Sequence, residues 1–210
     1  MPDARAATSN PAPSIRTIAV IGAGRVGRSF ALASVAAGFE VILEDVMPAK
    51  LRRAQEEYAE LDLASSPAGG GHLRVALTVE DAVRSADLAI DFVPDELESK
   101  LEIFCLVDRM APPKTIMLTP SDALSISDLA SCTYRPSRCF SVRNLAADEP
   151  FQPGQPTRLL HPNTAEDASL NAVFAFLLTL GCEVHPETDR DAPMLVKNYL
   201  KPIPASTPRI

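Results

Sequence analysis

The feature that most constrains this chain is the stretch Ile18-Ala-Val-Ile-Gly-Ala-Gly-Arg-Val-Gly-Arg-Ser-Phe-Ala-Leu32. An apolar, β-branched run breaks at Gly22 and resumes as a small-residue helical pattern, so the chain must pass from a buried strand through a tight turn into a helix. Gly22, Gly24 and Gly27 each have a physical task at that junction. Gly22 permits the turn out of the strand, Gly24 leaves the backbone open to close approach, and Gly27 lets the helix lie against the sheet. The helix opening carries unpaired N–H groups and the positive end of the dipole, which together favour an anion.

The context needed to give such a glycine triplet meaning is a preceding strand, a following helix and an acid about 20 residues on. Val41-Ile-Leu-Glu-Asp45 supplies the acid at the tip of a second strand. The reading is a dinucleotide site, with Gly22, Gly24, Val26 and Gly27 beneath the pyrophosphate and Asp45 accepting the ribose hydroxyls. A carboxylate there repels a 2′-phosphate, so NAD is expected over NADP.

At 210 residues with 46% hydrophobic content, the chain can bury the core of a single domain. The net charge of −7 argues against a nucleic-acid or anionic-membrane partner. No apolar run approaches a membrane span. Met1 to Ser14 lacks the pattern of a secretory signal and reads as a disordered lead-in, giving an organisation of tail 1–14, domain 15–200 and proline-rich tail 201–210. Cys105, Cys132, Cys139 and Cys182 have no metal-ligand spacing, so buried, reduced thiols are expected, with no metal site and a cytoplasmic location by default.

Strands are expected at 17–21, 40–45, 73–78, 87–93, 115–118, 138–142, 157–160 and 182–185. Helices are expected at 25–37, 48–63, 80–85, 95–110, 125–131 and, capped by Thr164, up to Gly181; another is expected to begin at Pro193. This alternation implies an α/β, doubly wound, mostly parallel sheet of the Rossmann type, with antiparallel strands at its edge.

Asp91-Phe-Val-Pro-Asp-Glu-Leu-Glu-Ser-Lys100 after the fourth strand resembles the 3-hydroxyacyl-CoA dehydrogenase family, as do the glycine motif and Asp45. Looser likenesses follow at Leu124-Ser-Ile-Ser-Asp-Leu-Ala130 and Asp191-Ala-Pro-Met-Leu-Val-Lys-Asn198. The likeness spans roughly residues 16–200, the nucleotide-binding domain of that family. It implies NAD-dependent hydride transfer on a 3-hydroxyacyl or 3-oxoacyl substrate, with Asp95 and Lys100 near the cofactor. Asp95 follows a parallel strand, where ligands bind, and Lys100 stands about a turn into the next helix, within reach of a phosphate or ribose. A solvated Asp–Lys surface pair is the competing reading.

The chain departs from the family where the chemistry is done. The family's catalytic histidine falls on Arg143 or Asn144, neither of which can serve as a base. Its partner glutamate falls near Leu159 or Leu160. Asp122 replaces the active-site serine and Pro120 an asparagine; Asn198 alone matches the catalytic set. Asp122 is the best substitute base, against a role capping the next helix; His161 reads as a surface residue at a turn. The family's helical C-terminal domain has no counterpart in the sequence, so a second copy or a partner subunit would have to complete the substrate site. Two functions are therefore open: an oxidoreductase with a non-standard base, or a non-catalytic NAD-binding sensor or regulatory subunit.

Overall fold

The computed structural model describes residues 14–63, 69–143, 145 and 150–189. Among them runs one eight-stranded sheet in the order β3-β2-β1-β4-β5-β6-β7-β8. The strands are β1 Thr17–Ile21, β2 Glu40–Glu44, β3 His72–Ala76, β4 Leu88–Asp91, β5 Ile116–Pro120, β6 Cys139–Arg143, β7 Pro156–His161 and β8 Glu183–Thr188. The helices are α1 Arg25–Ala36, α2 Pro48–Ala59, α3 Val79–Val83, α4 Leu97–Met110, α5 Ile126–Ser131 and α6 Asp167–Thr179. No helix among the described residues is long and apolar enough to cross a membrane.

Alternation along β1 divides the interior. Ile18 and Val20 face a core completed by Phe30 and Val35 of α1, Leu51 and Ala54 of α2, and Val173, Phe176 and Leu177 of α6. Ala19 and Ile21 face the opposite core, built with Ala82 and Val83 of α3, Phe104 and Val107 of α4, and Ile126 and Leu129 of α5. Burial on both faces explains why the central strands read as almost unbroken apolar runs. Phe30 pins α1 to the sheet, its ring 5.3 Å from both Phe92 and Phe151 and 6.1 Å from Phe176.

From β3 to β6 every pairing is parallel. The order reverses between β1 and β4, which opens a crevice beyond the carboxyl ends of those strands. β7 pairs antiparallel with β6. With α6 as crossover, β8 again lies parallel to β7. The expected antiparallel edge is thus the β7–β8 pair, while β6 belongs to the parallel body.

Some boundaries differ from the sequence reading. α2 ends at Ala59. The sixth helix starts at Asp167, because Ala165 N–H closes a turn onto Pro162 O and Glu166 N–H is drawn to Ser137 O. Glu166 rather than Thr164 stands at the cap, its carboxylate accepting the Ser169 hydroxyl at 2.9 Å. Of the four thiols only Cys139 and Cys182 are buried, and all are free; burial pushes Cys139 up to about 12. Cys105 and Cys132 are exposed, on α4 and just past α5. The expected helix from Pro193 lies outside the described residues.

Candidate functional site

The strand-to-helix turn takes the form its glycines require. Gly22 has φ +99° and donates its N–H to Glu44 O at 2.8 Å, tying the turn to the tip of β2. A Cβ on Gly27 would stand 2.0 Å from Gly22 O, so any side chain there would force α1 off the turn. A Cβ on Gly24 would meet nothing within 4 Å. The backbone at Gly24 therefore faces open space, and no side chain caps the start of α1.

That space belongs to a cleft of about 750 Å³, within the usual range for a cofactor or ligand site. Gly24, Arg25, Val26 and Gly27 form one wall. The segment Phe92 to Asp95 and Lys100 form the second, and Pro120, Ser121, Asp122 and Leu145 close the far end. An uncapped helix opening beside an unfilled position at Gly24 suits a pyrophosphate, since its orphan N–H groups need an acceptor. The residues present thus fit a dinucleotide, with Gly24, Val26 and Gly27 on the wall where its phosphates would lie and Gly22 in the turn behind them.

Asp45 stands just past β2 and is 5% exposed. Its Oδ2 accepts the Ala23 N–H at 2.9 Å and the Lys50 ammonium at 3.0 Å, while Oδ1 accepts the Met47 N–H at 2.8 Å. Burial alone would raise its pKa, but these donors together hold it below the usual carboxylate range. The carboxylate is thus turned onto the glycine turn and does not itself line the cleft. Its neighbour Glu44 is buried on the sheet's other face and is raised from 4.5 to about 7, by burial first and then by the charge of Asp45.

Lys100 lines the cleft but does not form the solvated pair with Asp95 that was its competing reading. It is 1% exposed, and its ammonium lies 2.7 Å from Asp91 Oδ1 on the end of β4. The pair is neither solvated nor formed with Asp95. Lys100 contributes to the cleft wall with its head turned down to the sheet. Burial raises the pKa of Asp91, against the pull of Lys100 first and then of the Thr119 hydroxyl and the Val93 N–H.

Asp95 spans the cleft's far end. Its Oδ2 accepts the N–H groups of Asp122 at 3.0 Å and Ala123 at 3.4 Å. Asp122 does not cap the next helix: Ser121 Oγ accepts the Leu124 N–H, and Ser125 Oγ that of Asp128. Asp122 instead lies on the cleft wall.

None of the three histidines lines the cleft. His72 opens β3 and His161 closes the reversed β7, which places both on the opposite rim, and His185 lies in the edge strand β8. His161 Nδ1 is 3.1 Å from Pro162 O. Arg143 ends β6, with its Nε buried and without a partner. Leu159 and Leu160 are core residues. Asn198 and the segment 191–197 lie outside the described residues. Glu44 and Lys50 escaped the sequence reading; the signal for Lys50 was its place in the first turn of the helix that follows Asp45.

Comparison with known proteins agrees with this geometry. Residues 17–144 match the model of the family described as 3-hydroxyacyl-CoA dehydrogenase, NAD binding domain. A probable 3-hydroxybutyryl-CoA dehydrogenase of Bacillus subtilis is 31% identical over 141 residues, 61% of this chain and 48% of that protein. The mitochondrial hydroxyacyl-coenzyme A dehydrogenase of Sus scrofa is 29% identical over 206 residues, 89% of this chain and 62% of that one. Among solved structures, a 3-hydroxyacyl-CoA dehydrogenase from Archaeoglobus fulgidus superposes with a TM-score of 0.68 at 26% identity, covering 88% of this chain and 59% of its own. The chain thus spans about half to two thirds of the length of these relatives. With the glycine turn, the Asp45 strand tip and the switch-point cleft in place, the chain belongs to the 3-hydroxyacyl-CoA dehydrogenase family, of which it carries the NAD-binding domain.

Proposed function

We propose that this chain is the cofactor-holding part of an NAD(H)-dependent oxidoreductase that interconverts 3-hydroxyacyl and 3-oxoacyl groups. The observation that carries the reading is the cleft at the strand-order reversal, with an uncapped helix opening and an open position at Gly24 on one side. Bound NAD would supply the hydride acceptor, and NADH the donor. The chain's own residues hold and orient it. The α1 opening takes the pyrophosphate and the Asp45 region the adenosine ribose. Asp95 fixes the loop after β5 through two backbone N–H groups.

Asp122 is the residue assigned to the substrate hydroxyl proton. It lines the far end of the cleft, and a carboxylate that loses water as substrate enters becomes a stronger base. The test is turnover of acetoacetyl-CoA with NADH, assayed with the chain alone and with candidate partner chains. Activity lost in Asp122→Asn and kept in His161→Ala supports the assignment. Failure to bind NADH overturns the function as a whole.

A second reading is favoured by one specific observation: none of the three histidines lines the cleft, and the family's histidine falls on Arg143 or Asn144, neither of which can act as a base. On that reading the domain binds NAD(H) without turnover, as a sensor or regulatory subunit. NADH binding in calorimetry with no turnover under any condition selects it.

A further inference from the structure

We propose that Lys50 relaxes the cofactor choice that Asp45 would otherwise impose, so that the site accepts NADP(H) beside NAD(H). The inference rests on the reading that the cleft holds a dinucleotide, and it concerns the part of that molecule where the two cofactors differ.

A carboxylate at the tip of the second strand rejects a 2′-phosphate only while its negative charge is uncompensated. The charge on Asp45 is matched. Lys50 Nζ stands 3.0 Å from Oδ2, and two backbone N–H groups take up the same carboxylate. The ammonium is also within reach of solvent. The Lys50 side chain is 42% exposed against 5% for Asp45, and it is a compact charge on a flexible stem in the first turn of α2. A phosphate arriving from the solvent side can share the ammonium while Lys50 keeps its contact with Asp45.

A second cation stands at the same turn. Arg28 of α1 donates from Nη1 to Ala23 O at 3.2 Å, and Ala23 is the residue whose N–H holds Asp45. Arg28 also pairs with Glu57 at 2.6 Å, and Glu57 is shared with Arg53 at 3.1 Å. On this face of the sheet, Lys50, Arg28 and Arg53 therefore offset Asp45 and Glu57. Glu44 follows Ile42 onto the opposite face. Past Asp45 the chain runs over the surface, with Val46 80% and Met47 51% exposed.

The experiment measures dissociation constants of NADH and NADPH, by nicotinamide fluorescence or calorimetry, for the full chain and for Lys50→Gln and Lys50→Glu. Circular dichroism checks that the variants fold. The unsubstituted chain is expected to bind NADPH within about tenfold of NADH. Lys50→Gln should weaken NADPH by about tenfold or more while changing NADH by less than about threefold, and Lys50→Glu should widen the gap further. Added salt should weaken NADPH more than NADH. An NADPH-to-NADH ratio above about one hundred in the unsubstituted chain, or a ratio unchanged in both variants, overturns the inference and leaves the dinucleotide site standing. Binding of neither cofactor overturns the dinucleotide reading and this inference with it.

Discussion

Lys100 and Asp91 form an ion pair 2.7 Å long inside the protein, between the first turns of α4 and the end of β4. Neither side chain is more than 4% exposed. Water screens such a pair little, and each charge depends on the other. Lys100→Met should therefore destabilise the domain by about 3–5 kcal/mol, because it leaves the Asp91 carboxylate buried without a counter-charge. The double variant Asp91→Leu with Lys100→Met should recover most of that loss. Urea denaturation of the two single variants and the double variant measures both effects.

The glycines of the turn should separate into a structural and a binding class. Gly27→Ala places a methyl group 2.0 Å from Gly22 O, and backbone cannot yield as a side chain tip does. A loss of about 3 kcal/mol or more is expected in thermal unfolding. Gly24→Ala meets nothing within 4 Å and should leave the melting temperature nearly unchanged. It should still weaken NADH by roughly tenfold, since the methyl group occupies the approach to the pyrophosphate.

Glu44 gives the domain a stability that depends on pH near neutrality. Its folded pKa of about 7 stands above 4.5, so between those values the folded state binds a proton that the unfolded state releases. The contribution is fully present below about pH 4.5 and is lost as pH rises through 7, a change on the order of 1–3 kcal/mol. Glu44→Gln should flatten this part of the profile. Comparing urea midpoints at pH 5 and pH 8 for the two proteins isolates the effect. Asp45 and Asp87, whose pKa values are lowered, act in the opposite sense and cost stability only as pH falls through the acid range.

Arg135 closes the carboxyl end of α4. Its Nε lies 2.7 Å from Asp108 Oδ1, and its two other nitrogens donate to the carbonyls of Asp108, Ala111 and Pro112. Arg135→Lys cannot reproduce that planar fork. A loss of about 2–4 kcal/mol is expected in chemical denaturation, part of it from the Asp108 carboxylate, which loses the fork and keeps the Tyr134 N–H.

What could be read before folding was what neighbours in sequence decide. The run from Ile18 to Leu32 specifies strand, turn and helix within fifteen positions, so β1, Gly22 and α1 emerged intact. The switch-point cleft followed from the alternation of elements. The partner of Lys100 was not legible: the competing reading set it beside its near neighbour Asp95, whereas Asp91 is reached only when α4 folds back over β4. Asp189 was invisible for the same reason. Its carboxylate accepts the Ser125 hydroxyl and the Ser127 N–H, both at 2.8 Å, across more than sixty residues of chain. Thr164 had the composition of a cap, but tertiary contacts at Glu166 decided where the helix began. Glu44 looked like an ordinary charged strand end, and only packing beside Ile21 and Asp45 made it a buried acid.

Asp95 grips the loop after β5 by main-chain N–H groups, and this makes the loop a bridge moored at its deck rather than at its railings. Exchanging the Asp122 side chain leaves the mooring in place, so chemistry at that position can be varied without loosening the span. Removing the Asp95 carboxylate would slacken the whole crossing while every side chain upon it stayed the same.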